Sequence, residues 1–92
     1  MKAYIVVQFT PKDKEMLQVY SAKAASTIAN FEGEFIAKSE AHVLVGQSDY
    51  QYNAIIIFPT QAAAESWFNS PEYQGLTEVR EKAMNASFAL IS

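Results

Sequence analysis

His42, in the run "EAHVLV", is the only histidine of the chain. Its neutral imidazole can take a proton near neutral pH, which makes it the first general-base candidate. The plainer reading is a strand histidine held by a hydrogen bond, because no acid adjacent in sequence is placed to orient the ring. Arg80, in "LTEVRE", is the only arginine. Its planar fork can grip a carboxylate in a bidentate bond. It can equally serve in a structural ion pair with Glu72 or a first-helix acid, its stem laid along apolar surface. Tyr20 and Tyr73 join an apolar ring to a polar tip, so they read either as ligand-binding groups or as core residues with satisfied hydroxyls. Trp67, the only tryptophan, carries the same two readings. Asp49, Tyr50 and Tyr52 cluster in "SDYQYN" and can cover a pocket mouth or form a plain solvated turn.

Other chemistries lack their residues. With no cysteine and one histidine, the chain has neither thiolate chemistry nor an ordinary transition-metal site. Haem held by His42 has no second supporting feature, and no cofactor is expected. Three glycines, at 33, 46 and 75, make no phosphate loop. No Ser/His/Asp set has recognisable local context. The net charge is −3 and the basic residues are scattered, so nucleic acid is not an expected partner. No run approaches the roughly 20 apolar residues of a membrane span. The N-terminal "MKAYIVVQF" is too short for a secretory signal, so the sequon Asn85-Ala86-Ser87 reads as chance and a cytoplasmic location is expected.

The elements that must position these side chains follow from apolar periodicity. Residues 3–9 read as a strand ended by Thr10-Pro11. A helix follows, capped by Thr10 or Asp13. Leu17, Tyr20, Ala24, Ile28 and Phe31 recur at helical spacing, and Gly33 reads as a left-handed stop. Residues 34–46 read as a long strand bent near Ser39-Glu40, with His42 on it. Residues 53–58 form a very apolar strand ended by Pro59. Thr60 caps a helix from Gln61 that carries Trp67 and Phe68. Ser70-Pro71-Glu72 breaks it and restarts the chain in a new direction. Gly75 costs about 1 kcal/mol relative to alanine inside that continuation, which points to close packing against a neighbour. Residues 86–91 form the last strand.

The order βαββαβ predicts an α+β ferredoxin-like domain over residues 1–92, with a four-stranded antiparallel sheet and both helices on one face. A sheet with one wet face should alternate apolar and polar residues. Here Tyr4 and Val6 alternate with Ile5 and Val7, and Ile55 and Ile57 with Ala54, Ile56 and Phe58. The helices cover one apolar face only, so the other is expected to pack on a second copy.

The whole chain also resembles the domain of unknown function 1330 family. The resemblance rests on "SPEYQ" at 70–74 with Leu76 and Arg80, on "YIVV" near the start and on Tyr20. "FEGEFIA" at 31–37, "IIIFPT" at 55–60 and Trp67 extend it. It implies a dimeric α/β barrel. Related barrels include cofactor-independent monooxygenases, isomerases and haem-handling enzymes, commonly with a site between sheet and helices. The chain departs from the family pattern at Glu32-Gly33, where paired glycines are usual. It departs again at Val45, where an acid is usual, and in the loop "QSDYQY". The expectation is a homodimer that binds a small organic molecule between sheet and helices. The alternatives are a cofactor-independent enzyme with His42 as base and a non-catalytic interaction module. The enzyme reading requires the polar ends of His42, Tyr20, Tyr73 and Arg80 to converge beside a cavity of at least ~300 Å³.

Overall fold

In the computed structural model, which describes residues 1–92, β1 (Ala3–Pro11) leads into α1 (Lys14–Asn30). Two strands follow, β2 (Glu34–Glu40) and β3 (Tyr52–Phe58). Three short helices come next: α2 (Gln61–Asn69), α3 (Pro71–Gln74) and α4 (Thr77–Ala83). The last strand is β4 (Met84–Ile91). The strands form one sheet in the order β2-β3-β1-β4, and every neighbouring pair is antiparallel. This is the ferredoxin-like arrangement expected from the βαββαβ order.

The alternation within strands sorts the faces. Ala3, Ile5, Val7 and Phe9 of β1, with Ala54, Ile56 and Phe58 of β3, are buried under the helices. Tyr20, Ala24, Thr27 and Ile28 of α1 meet them from above, together with Ala64 and Trp67 of α2 and Tyr73 of α3. Tyr4, Val6, Ile55 and Ile57 point to the opposite face and are only half-buried, while Ile91 is exposed.

Several local expectations change. Thr10 and Pro11 belong to β1 and pair with Asn85 and Met84, so the strand outlasts the expected stop. Pro11 lies at the strand end, where its missing N–H is tolerated. Asp13, not Thr10, caps α1 by accepting from the Met16 N–H at 3.1 Å. At the end of α1 the left-handed residue is Glu32, with φ 63°, rather than Gly33. Gly33 is needed for a different reason: a Cβ there would lie 2.5 Å from the Phe58 ring. β2 stops at Glu40, well short of residue 46, so His42 lies in the β2–β3 connection and not on a strand. Gly75 has φ −64° and caps α3 in ordinary helical geometry. An added Cβ there would meet the carbonyl oxygen of Pro71 in its own turn at 3.2 Å, with no other element near. The expected close packing of Gly75 on a neighbouring element is therefore not what the protomer contains.

The break at Pro71 is as expected. The Ser70 hydroxyl donates to the Trp67 carbonyl at 2.7 Å and accepts from the Tyr73 N–H at 3.2 Å, so one side chain closes α2 and opens α3.

Candidate functional site

Three of the polar residues singled out in the sequence meet at one point. The hydroxyls of Tyr20 in α1 and Tyr73 in α3 lie 2.6 Å apart. Arg80 of α4 donates from Nη1 to the Tyr73 hydroxyl at 3.2 Å. Its guanidinium also sits over the Tyr73 and Phe88 rings, 5.7 and 5.5 Å from their centroids. Glu81 gives Arg80 a 3.5 Å ion pair. Helical spacing puts Tyr73 and Arg80 on the side of α3 and α4 that faces α1, and the restart at Pro71 aims that side.

Burial sets the electrostatics of this cluster. Desolvation pushes the Tyr20 phenol far above its usual range, and the neighbouring Tyr73 raises it further. Tyr20 is therefore a neutral hydrogen-bonding group and no proton acceptor. Burial works against the charge of Arg80, but the Tyr73 hydroxyl, with lesser help from Tyr20 and Glu81, more than offsets this. The arginine holds its proton even more tightly than usual. One N–H of each terminal nitrogen is engaged by a protein group, which is the structural pairing weighed in the sequence, with Glu81 in the place expected for Glu72 or an α1 acid.

Trp67 is fully buried and its indole N–H donates to Thr27 Oγ1 at 3.0 Å. The Thr27 hydroxyl in turn donates to the Ala24 carbonyl at 2.8 Å. Around Trp67 the rings of Phe58, Phe68 and Tyr73 pack with centroids 4.2–6.1 Å away. His42 is exposed and lines none of the cavities. The four-residue constellation of the enzyme reading is therefore not assembled within one protomer. Tyr20, Tyr73 and Arg80 come together, and His42 stands apart from them.

An open space lies between α1 and the sheet. A narrow cavity of about 30 Å³ is lined by Val7, Ala24, Ala54, Ile56, Trp67 and Phe88 among others, with Tyr20 on its wall. That holds roughly one or two water molecules. Phe9, Leu17, Ser21 and Lys38 line it too, and the same four line an outer groove of about 660 Å³. Pro11, Lys14, Gln18, Ser39 and Tyr52 complete the groove. Tyr52 lines the groove, but as the first residue of β3 rather than from the expected loop, and Asp49 and Tyr50 do not line it. Phe9 and Tyr52 stack in its wall, with centroids 5.4 Å apart and planes at 17°.

Apart from Tyr52, sequence reading singled out none of the polar residues of this groove. Lys38 is the clearest case. Strict alternation along β2 puts Lys38 on the face opposite Phe35. The structure has a bulge between Phe35 and Ala37, after which Ala37 pairs with Ile55 and Lys38 with Ala54. Ala54 and Ile56 are both helix-side residues, so the extra residue turns Lys38 to the same side as Phe35.

The model of the family described as "Domain of unknown function (DUF1330)" matches residues 2–92. The chain belongs to that family. No curated protein matches it. Among solved structures it is similar to a protein of unknown function from Rhodopseudomonas palustris, at 13% identity and TM-score 0.79, covering 98% of this chain and 80% of that one. It is similar also to a dimeric ferredoxin-like protein of unknown function from Jannaschia sp. CCS1, at 16% identity and TM-score 0.74, covering 100% and 99%. A third is SnoaB, a cofactor-independent oxygenase from Streptomyces nogalater, at 15% identity and TM-score 0.72, covering 99% and 91%. At these identities the likeness is one of fold. This member of the family therefore has a ferredoxin-like α+β fold.

Proposed function

We propose that this protein, one domain over residues 1–92, is a homodimer that binds a small organic molecule between α1 and the sheet. The single observation carrying the ligand reading is the 660 Å³ groove that shares four wall residues with the apolar cavity beneath it. Binding sites for small molecules combine this range of volume with an apolar floor and a few polar groups. Tyr20 and Trp67 form part of the inner wall, whereas Tyr73 and Arg80 support it from behind. His42, the general-base candidate, lies outside the groove.

The dimer reading rests on the second apolar face of the sheet. Tyr4, Val6, Ile55 and Ile57 lie on it without cover from any helix of the protomer, and Ile91 is 54% exposed. A structural neighbour described as dimeric supports it.

A thermal-shift screen of small aromatic and carboxylate compounds tests the ligand reading, run on the wild type and on Ser21→Phe. Ser21 is half-buried on α1 at the junction of groove and cavity. Stabilisation of the wild type that Ser21→Phe abolishes is the expected result. Compounds that stabilise both proteins equally bind elsewhere, and that outcome sinks the reading.

A further inference from the structure

The groove carries a charge pattern at odds with the rest of the chain. The protein has ten acidic residues and seven basic ones, yet none of the groove's nine lining residues is acidic and two are lysines, Lys14 and Lys38. Neither lysine has a carboxylate within ion-pair distance; the pairs in the structure are Arg80–Glu81 and Lys82–Glu78. The Lys38 ammonium is held instead by two aromatic faces, 5.9 Å from the Phe9 centroid and 5.6 Å from that of Phe35. Phe9, Phe35 and Lys38 all line the inner cavity, so this cation stands at the passage from groove to apolar interior. A cation held there without an anionic partner in the protein favours a negative charge on whatever binds. Tyr52, half-buried in the groove wall and backed by the buried Phe9 ring, favours a flat partner.

Resting on the groove reading above, we propose that the ligand is a flat, apolar organic monoanion, an aromatic carboxylate or enolate of one or two rings. Its ring system lies along Tyr52, with its edge toward the inner cavity. Its negative oxygen is paired by Lys38, with Lys14 adding long-range attraction from the first turn of α1. Lys38 is thus the specificity-determining residue that separates anionic from neutral ligands of one shape.

The test is calorimetric titration of 2-naphthoate, cinnamate and benzoate, each beside its neutral carboxamide, with Trp67 fluorescence as the local reporter. The proteins are wild type, Lys38→Gln and Lys38→Arg. Lys38 is exposed on an edge strand, so both variants should fold, and circular dichroism checks this. The expected result has at least one acid binding the wild type tenfold or more tightly than its amide. Lys38→Gln then removes that difference, Lys38→Arg retains it, and added salt weakens the acid alone. An acid and its amide that bind alike, or an acid whose affinity survives Lys38→Gln, overturns the anion inference and leaves the groove standing. If no acid and no amide binds or perturbs Trp67, the groove reading falls, and the anion inference falls with it.

Discussion

Tyr20, Tyr73, Thr27 and Trp67, all buried, and the half-buried Arg80 form a polar scaffold in and behind the wall of the apolar cavity, and its members answer differently to truncation. Thr27→Val keeps the shape but leaves the Trp67 indole N–H without its acceptor. A buried donor stripped of its partner costs about 1–3 kcal/mol, which urea denaturation should register. If the variant loses less than a few tenths, the bond does not stabilise the fold. Tyr20 makes a prediction in pH. Its folded pKa lies above the ordinary phenol value of 10.0, because burial and Tyr73 oppose its charge. The folded state then binds more protons than the unfolded state once pH exceeds that value, so stability falls as pH rises. The contribution is complete below pH 10 and drains away above it. Denaturation midpoints between pH 8 and 11 should therefore decline in the wild type. The decline should be shallower in Tyr20→Phe; equal slopes would refute the assignment.

Short elements with exact ends bring this scaffold together, and two of those ends make predictions. At the close of α1, Glu32 occupies the left-handed region that strains a side-chain-bearing residue. Glu32→Gly is expected to stabilise the protein by about 1 kcal/mol, as removal of that strain would. Gly33→Ala drives a methyl into Phe58 and is expected to destabilise it. Opposite signs at adjacent positions, read from paired melting curves, distinguish conformational strain from packing. At the α2–α3 break, Ser70→Ala removes both the N-terminal cap of α3 and the bond back to the Trp67 carbonyl. A loss of about 1 kcal/mol is expected for the cap alone. A neutral result would mean that Pro71 by itself sets the turn.

For the molecule as a whole, the sheet separates two tasks. Its helix side holds the core and the groove, and its other side offers the surface proposed for a second copy. Ile55 sits on that open face, paired with Val6 and Ala37. Ile55→Lys should therefore leave the protomer's secondary structure intact while light scattering shows a monomer where the wild type is a dimer. A wild type that is itself monomeric at micromolar concentration, or an Ile55→Lys dimer, would refute the proposed interface.

Much of this architecture is written in the chain order of its residues. The βαββαβ order, the buried stripe of α1, the two apolar faces of β1 and β3 and the break at Ser70-Pro71 all follow from local spacing. Side-chain direction repeats every 2 residues in a strand and every 3.6 in a helix, and a short window captures both. What escaped lies where local period is interrupted or where distant segments meet. The β2 bulge carries Lys38 to the helix side against strict alternation, and a single extra residue reverses every face beyond it. Tyr20 and Tyr73 share a bond across 53 residues, fixed by the packing of α1 on α3 and α4. His42 fell outside any strand because β2 ended at Glu40, although "HVLV" is as apolar as many strands. Ladder pairing and packing, which no local pattern encodes, decided which apolar runs became strands and which polar residues face the groove.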